Sequence, residues 1–303
     1  MNPKVRLWLA AGLAAAVCAA SLGGLFWRRT RALQPAAMYR RLPTRDALVF
    51  FIDFEALRRG GLMRLFDSAK PPEDPEYLRF VSSTAFDYKR DLDSVMAAFG
   101  PSGRFILAKG RFDWKSLRSY AESQQGKCDG SLCRLVGSAP ERRISFLPIQ
   151  SGLMALAVST DDMAAMRLTS PAGEPGLQIP DAPVWASLPP SWLKSAPNLP
   201  DGTRPFARAV EQAESVVLTF APEGNRFALK LTVVCGGGQD AYDAASQLTR
   251  MTGLLRKLIA LEKATPNPGD LSGVLVAGTF RSSGNRVFGY WPIERVLVEN
   301  LLR

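Results

Sequence analysis

Three stretches of this chain have spacings that could support chemistry. Ser191-Trp192-Leu193-Lys194 spells S-x-x-K. On a helix that spacing sets a lysine amine one turn from a serine hydroxyl, a nucleophile beside its base. Val233–Leu248 reads VVCGGGQDAYDAASQL, and its Gly236, Gly238 and Ala241 match G-x-G-x-x-A. That loop cradles a pyrophosphate where a parallel strand meets a helix N-terminus. Cys128 and Cys133 flank Asp129-Gly130-Ser131-Leu132, a turn-forming tetrapeptide, so the pair can close a small disulfide loop in an oxidising compartment.

Context weakens the first two. In the penicillin-recognising enzymes S-x-x-K opens a long core helix and is completed by K-T-G. Here K-T-G is missing and SWLK sits in a short proline-flanked segment. Ser283-Gly284-Asn285 resembles the second box of that set but reads better as a hairpin turn. A serine hydrolase built on Ser191 and Lys194 is therefore the alternative reading. The glycine loop follows the second arm of an antiparallel hairpin and leads into a helix of about seven turns with no second parallel strand after it. No nucleotide or other cofactor is expected.

The chain contains no histidine. That excludes Ser-His-Asp and Cys-His catalysis, histidine-ligated metals and the commonest general base. Two neighbouring cysteines do not make a zinc site, so no metal is expected; two reduced thiols are the other reading of Cys128 and Cys133. The acids cluster as Glu73, Asp74 and Glu76, as Asp87, Asp91 and Asp93, and as Asp161 and Asp162. Most stand where helix caps belong. The catalytic expectation is none, with an enzyme the less favoured class.

The net charge of +10 raises the question of nucleic acid. Residues 1–45 carry eight Lys or Arg and no acid, leaving 30 basic and 28 acidic side chains on the rest. A nucleic-acid binder concentrates its basic excess on the folded domain, so that partner is not expected. The charge belongs to the flanks of Leu7–Trp27, LWLAAGLAAAVCAASLGGLFW, an uncharged run that as a helix spans about 30 Å, one hydrocarbon core. Trp8 and Trp27 mark its two ends, and no small-x-small site precedes Arg28-Arg29. An uncleaved anchor is favoured over a cleaved signal segment. Basic residues on both flanks leave its orientation open, and the cysteine pair tips the body to the extracytoplasmic side.

The elements that must position these residues form two series. After the basic linker 28–46, the first half (47–168) opens with a strand at Ala47–Asp53, then helical residues Glu55–Phe66. A loop at Pro71–Tyr77 leads to a helix with Asp74 as cap and Pro75 at its first position. Phe86–Phe99 reads as a turn and a helix capped by Asp91. A strand at Arg104–Gly110 is succeeded by an amphipathic helix at Phe112–Gln124 capped by Asp113. Strands at Arg134–Gly137, Arg143–Pro148 and Leu153–Ser159 and a helix at Asp161–Leu168 close the half. Residues 169–183, rich in proline and glycine, mark the boundary. The second half (184–303) has a strand VWASL, a helical turn, and a helix at Pro205–Glu214. A hairpin at Ser215–Phe220 and Arg226–Cys235 precedes the longest helix, Gln239–Lys263. Another hairpin pairs Gly273–Phe280 with Arg286–Trp291, and a helix at Pro292–Leu302 ends the chain. The expected class is α+β: a transmembrane helix, then two antiparallel sheet-plus-helix halves resembling a degenerate tandem repeat.

The blocks LPTRDALVFFIDFEALR, EDPEYLRFVSSTAFDYKRDLDSV, KGRFDWKSLRSYA, CRLVGSAPERRISFLPI and MALAVSTD resemble an uncharacterised group of bacterial proteins with an N-terminal membrane segment and a domain of unknown function. The resemblance covers most of residues 42–168. It implies location and fold, and brings no activity or site residue. The expectation is a single-pass inner-membrane protein with its body in the periplasm. The bilayer is its partner through residues 7–27, and the body binds a protein partner or an apolar ligand. A structural or assembly factor of a membrane complex is a further alternative.

Overall fold

The computed structural model describes residues 33–63, 75–137, 142–171, 178–195, 203–261 and 265–301. The apolar span 7–27, the Glu73 and Asp74 cap region and part of the 169–183 boundary lie outside these residues. Among the described residues no helix is long and apolar enough to cross a membrane.

The strands are β1 (Leu48–Asp53), β2 (Leu92–Gly100), β3 (Gly103–Gly110), β4 (Lys127–Asp129), β5 (Leu132–Val136), β6 (Arg143–Gln150) and β7 (Leu153–Ser159) in the first half. The second half supplies β8 (Val184–Leu188), β9 (Ser215–Glu223), β10 (Arg226–Val234), β11 (Thr279–Ser283) and β12 (Arg286–Ile293). All twelve join one antiparallel sheet in the order β11-β12-β10-β9-β8-β1-β2-β3-β7-β6-β5-β4. β1 pairs with β8, so the halves share one sheet. Outward from that pair, the order β8-β9-β10-β12-β11 repeats β1-β2-β3-β7-β6, with β5 and β4 as an extension of the first half. The fold is α+β with a large antiparallel sheet.

Hairpins supply most of these pairings, because the turn residues dictate them locally. Gly224 and Gly284 open the two-residue turns of β9–β10 and β11–β12 with φ of 61° and 56°, the left-handed backbone a glycine adopts without penalty. The helices are α1 (Pro35–Tyr39), α2 (Phe54–Arg59), α3 (Pro75–Thr84), α4 (Tyr88–Asp91), α5 (Trp114–Ser123), α6 (Pro190–Ser195), α7 (Arg204–Ala209), α8 (Gly238–Leu261), α9 (Leu271–Ala277) and α10 (Arg295–Leu301). A 3₁₀ segment spans Ala164–Thr169. Asp113 caps α5 by accepting from the Lys115 and Ser116 amides, and Asp53 caps α2 through Ala56.

Two segments correct the sequence reading. The helix expected across Phe86–Phe99 is only the single turn α4; Leu92–Gly100 is a central strand. Met96, Ala97 and Ala98 are all buried between β1 and β3, so the alternation that marks a strand is lost and Met-Ala-Ala-Phe carries helix propensity instead. Similarly, residues 273–277 belong to α9, not to the hairpin. Asp270 accepts from the Ser272 and Gly273 amides and starts that helix, so β11 begins at Thr279. The Asp161–Leu168 segment is the 3₁₀ turn, and β4 adds a short strand that the sequence pattern does not predict.

Side chains divide between the faces of the sheet. On one face of the first half, Met38 and Tyr39 of α1 and Ala164, Ala165 and Leu168 of the 3₁₀ segment cover Val49, Phe51, Met96, Phe105, Leu107, Ala155 and Trp185. On the opposite face, α8, α9 and α10 cover the second half through Ala241, Leu248, Val274 and Leu297 against Val216, Leu231, Val233, Val287 and Trp291. The first half's share of that opposite face carries α3 and α5.

Candidate functional site

Beneath α3 and α5 the packing is incomplete. The floor comes from side chains that share one face of β5, β6 and β7. Leu135 stands opposite Ile144, Phe146 opposite Leu156, and Pro148 opposite Met154. Pairing fixes their orientation, because alternate residues of a strand point to opposite faces and Leu147 and Ala155 already fill the other side. The wall is helical: Tyr77 and Phe80 lie three apart on α3, and Leu117 and Tyr120 three apart on α5, so each pair faces one way.

A ring-to-ring chain holds the wall. Phe80 meets Tyr120 edge-on at 5.3 Å between centroids and Phe86 at 5.8 Å. Phe86 stacks on Phe112 at 6.0 Å, and Phe112 contacts Trp114 at 5.4 Å. Each such pair contributes roughly 0.5–1.5 kcal/mol beyond the area it buries. Between floor and wall lies a cavity of about 500 Å³, rimmed by Arg79 and Gln124 and otherwise lined by apolar and aromatic side chains. That volume and lining are those of a small-molecule pocket, in which a few polar groups at the mouth orient an apolar ligand. Burial pushes the Tyr77 phenol up, with the neighbouring Tyr88 and Asp87 adding to the shift.

An ionic cluster anchors the corner behind the wall. Arg90 binds both oxygens of Asp91 at 2.9 Å, and the Asp87 amide donates to Asp91 Oδ2. Arg111 lies 3.5 Å from the other oxygen and donates to the Arg90 carbonyl. The bond from Arg90 holds the Asp91 carboxyl below the usual range, with the Asp87 amide and Arg111 helping and burial opposing. Gly110 sits against the same turn. A Cβ there would lie 2.2 Å from the Asp91 carbonyl oxygen, so no larger residue fits unless the backbone moves.

Cys128 and Cys133 are directly opposed on β4 and β5 and form a disulfide, with Cys133 buried beside Leu117 and Phe146. The bond therefore ties the edge strand β4 to β5, whose Leu135 belongs to the floor of the cavity. Ser191 and Lys194 are exposed on the six-residue helix α6, and Ser191 Oγ points to Asp46 Oδ1 at 3.5 Å. Among the described residues, neither side chain lines one of the cavities around the sheet.

The described acids act as caps and ion pairs. Asp87 accepts from the Lys89 amide, Asp93 pairs with Arg58, and Asp161 takes the Met163 amide and Arg167. Among the described residues no group of three His, Cys, Asp or Glu could hold a metal ion. Gly236 and Gly237 form the bend before α8, where Cys235 and Asn285 bond each other's backbone carbonyls. None of the three glycines has a positive φ, and a Cβ on any would meet nothing closer than 3.5 Å. Nothing in the structure requires glycine there. The cavity residues escape a sequence reading because their aromatics fit core periodicity; the i, i+3 pairs Tyr77–Phe80 and Leu117–Tyr120 are the available sign.

No family model matches the chain, and no curated protein does. Among solved structures, crystal forms I and III of TP0453 superpose with a TM-score of 0.51 at 11% identity. They cover 88% and 87% of this chain and 95% of theirs. At that identity the likeness is one of fold alone. It extends over nearly the whole of both chains, so the shared architecture includes both halves and the sheet that joins them.

Proposed function

We propose that the chain is a membrane-anchored protein of the cell envelope whose body is a non-enzymatic binding module, taking an apolar ligand in the cavity under α3 and α5. The cavity of about 500 Å³ carries this reading, because its floor and wall offer apolar contact and its rim the polar groups. The anchor rests on the uncharged run Leu7–Trp27, and the extracytoplasmic side on the Cys128–Cys133 disulfide. The matching strand orders support reading the halves as a degenerate tandem repeat. The sequence blocks of residues 42–168 support placing the chain with the bacterial proteins they resemble.

A naphthylamine dye that brightens in apolar surroundings tests the cavity. The full chain is expected to enhance its emission in a saturable way. Met154→Glu, which puts a charge on the floor, is expected to remove that saturable component while leaving the dye's uptake by the anchor unchanged. Equal saturable binding in both proteins would move the ligand elsewhere. Hydrolysis of ester, peptide or lactam substrates by the purified chain, lost in Ser191→Ala, would replace the binding module with the hydrolase.

A further inference from the structure

One line of paired residues crosses the sheet on a single face: Leu147, Ala155, Leu107, Met96, Phe51, Trp185, Thr219, Lys230, Tyr290 and Thr279. From Leu147 to Trp185 every member is buried. Beyond Trp185 the line turns polar, and Lys230 and Thr279 are exposed. The neighbouring positions of this face on β10, β11 and β12 include Arg226, Arg281, Arg286 and Phe288. Arg281 lies over the Phe288 ring, 5.0 Å from its centroid. Among the described strand residues of this part of the face the acid is Glu223, which accepts from Tyr290 and pairs with Arg226. Lys230, Arg281, Phe288 and Tyr290 line a shallow depression of about 370 Å³ together with Thr232 and Thr279, and Arg226 and Arg286 stand at the strand ends of the same face.

We propose that this cationic, aromatic face of β10, β12 and β11 docks onto an anionic lipid bilayer. The inference rests on the anchored reading above and adds to it the surface that meets the membrane.

Two observations select lipid over other polyanions. First, the chain enters the described body on this same face. α1 packs there, with Tyr39 6.4 Å from Trp185, and Lys230 and Tyr290 come after Trp185 at about 10 and 15 Å by strand spacing. Only six peptide steps separate Trp27, the end of the apolar run, from Leu33, a reach of roughly 20 Å. The face is thereby held near the bilayer whatever its own affinity. Second, cations beside an apolar ring, Phe288, and an amphipathic one, Tyr290, match the phosphate and glycerol level of a leaflet, where Tyr and basic side chains both gain. A nucleic-acid groove would instead need the excess charge spread over a body whose balance is near neutral.

The test uses the full chain carrying Cys18→Ser, with an environment-sensitive dye at Thr279→Cys. In a second protein the dye is at Lys257→Cys, an exposed site of α8 on the other side of the sheet. Each is reconstituted into phosphatidylcholine vesicles with and without 30% phosphatidylglycerol. Flotation with neutral vesicles reads the anchor. A blue shift at residue 279 that appears only with anionic lipid and fades in high salt reads the face. Each of Lys230→Glu, Arg281→Glu and Arg286→Glu is expected to lower the docked-to-undocked ratio at least fivefold, the ~1 kcal/mol of one basic side chain near such a surface. Their circular dichroism should match the parent's.

Flotation without the salt-sensitive shift would overturn the docking face and leave the anchor standing. Failure to float would overturn both. A larger response at residue 257, or stronger binding of a single-stranded oligonucleotide than of anionic vesicles by the same face, would also overturn the proposal.

Discussion

The two ends of one sheet face have the same strand order and opposite fates. In the first half the face is roofed by α1 and the 3₁₀ segment; in the second half no described element covers it. The difference lies in the path of the chain after the last long strand. Beyond β7, residues 164–169 fold back onto this face and bury Ala164, Ala165 and Leu168. Beyond β12, the chain turns the other way, and Leu297 of α10 joins the core under α8. Strand composition agrees with each outcome: Met96, Leu107 and Ala155 under the roof, Lys230, Tyr290 and Thr279 without one. A repeated topology therefore specifies pairing but not burial. Burial is written strand by strand in the alternation of side chains.

The largest expected effect breaks that comparison at its seam. Trp185→Ala removes a fully buried ring that stacks on Phe51 at 5.6 Å, and should destabilise by about 3–5 kcal/mol in chemical denaturation. Lys230→Ala, two strands further along the same line, should change stability by no more than about 0.5 kcal/mol. Equal losses would mean the open end is roofed after all.

A second experiment concerns the corner shared by α4, β2 and β3. Asp91→Asn should cost about 2 kcal/mol, the range for hydrogen bonds to charged groups. Because the folded Asp91 carboxyl titrates below its unfolded counterpart, its stabilisation is complete above the usual carboxylate range and fades as pH falls through the folded value. Urea midpoints measured from pH 7 downward should therefore fall less steeply in the variant. Identical acid limbs would show that Asp91 plays no part in acid stability.

Reducing the disulfide sharpens the contrast at the sheet's outer edge. Freeing a loop of this length costs about 2 kcal/mol by loop-closure entropy. The loss should appear as faster hydrogen exchange in β4 and β5, with β11 and β12 unchanged. The smallest effect on stability sits on the open face, where Lys230→Leu with Thr232→Val should leave folding within about 0.5 kcal/mol. These changes extend an exposed apolar patch beside Phe288 and Tyr290, so self-association should rise on a sizing column.

Much of the fold is legible in the sequence because it is local. Glu223-Gly224-Asn225 and Ser283-Gly284-Asn285 announce their hairpins, and Asp113 announces α5, since turn and cap chemistry acts within a few residues. β2 is illegible for a physical reason: three successive buried residues, Met96 to Ala98, break its period of two. The cavity is hidden similarly, since Phe80, Tyr120 and Phe146 obey core spacing whether or not a neighbour fills the gap between them.

By itself, then, the sequence determined the α+β class, the near-neutral body and the absence of histidine chemistry. It also placed Cys128 and Cys133 on either side of a turn. These come from composition, short-range periodicity and turn stereochemistry, which need no partner to act. Only the tertiary structure decided that β1 meets β8 to make one sheet, that α3 and α5 leave a cavity above the floor beneath them, and that no described element covers one end of a face. Each of these depends on contacts between residues far apart in the chain. Whether such surfaces meet, and how closely, is set by the packing of the whole and not by any one segment.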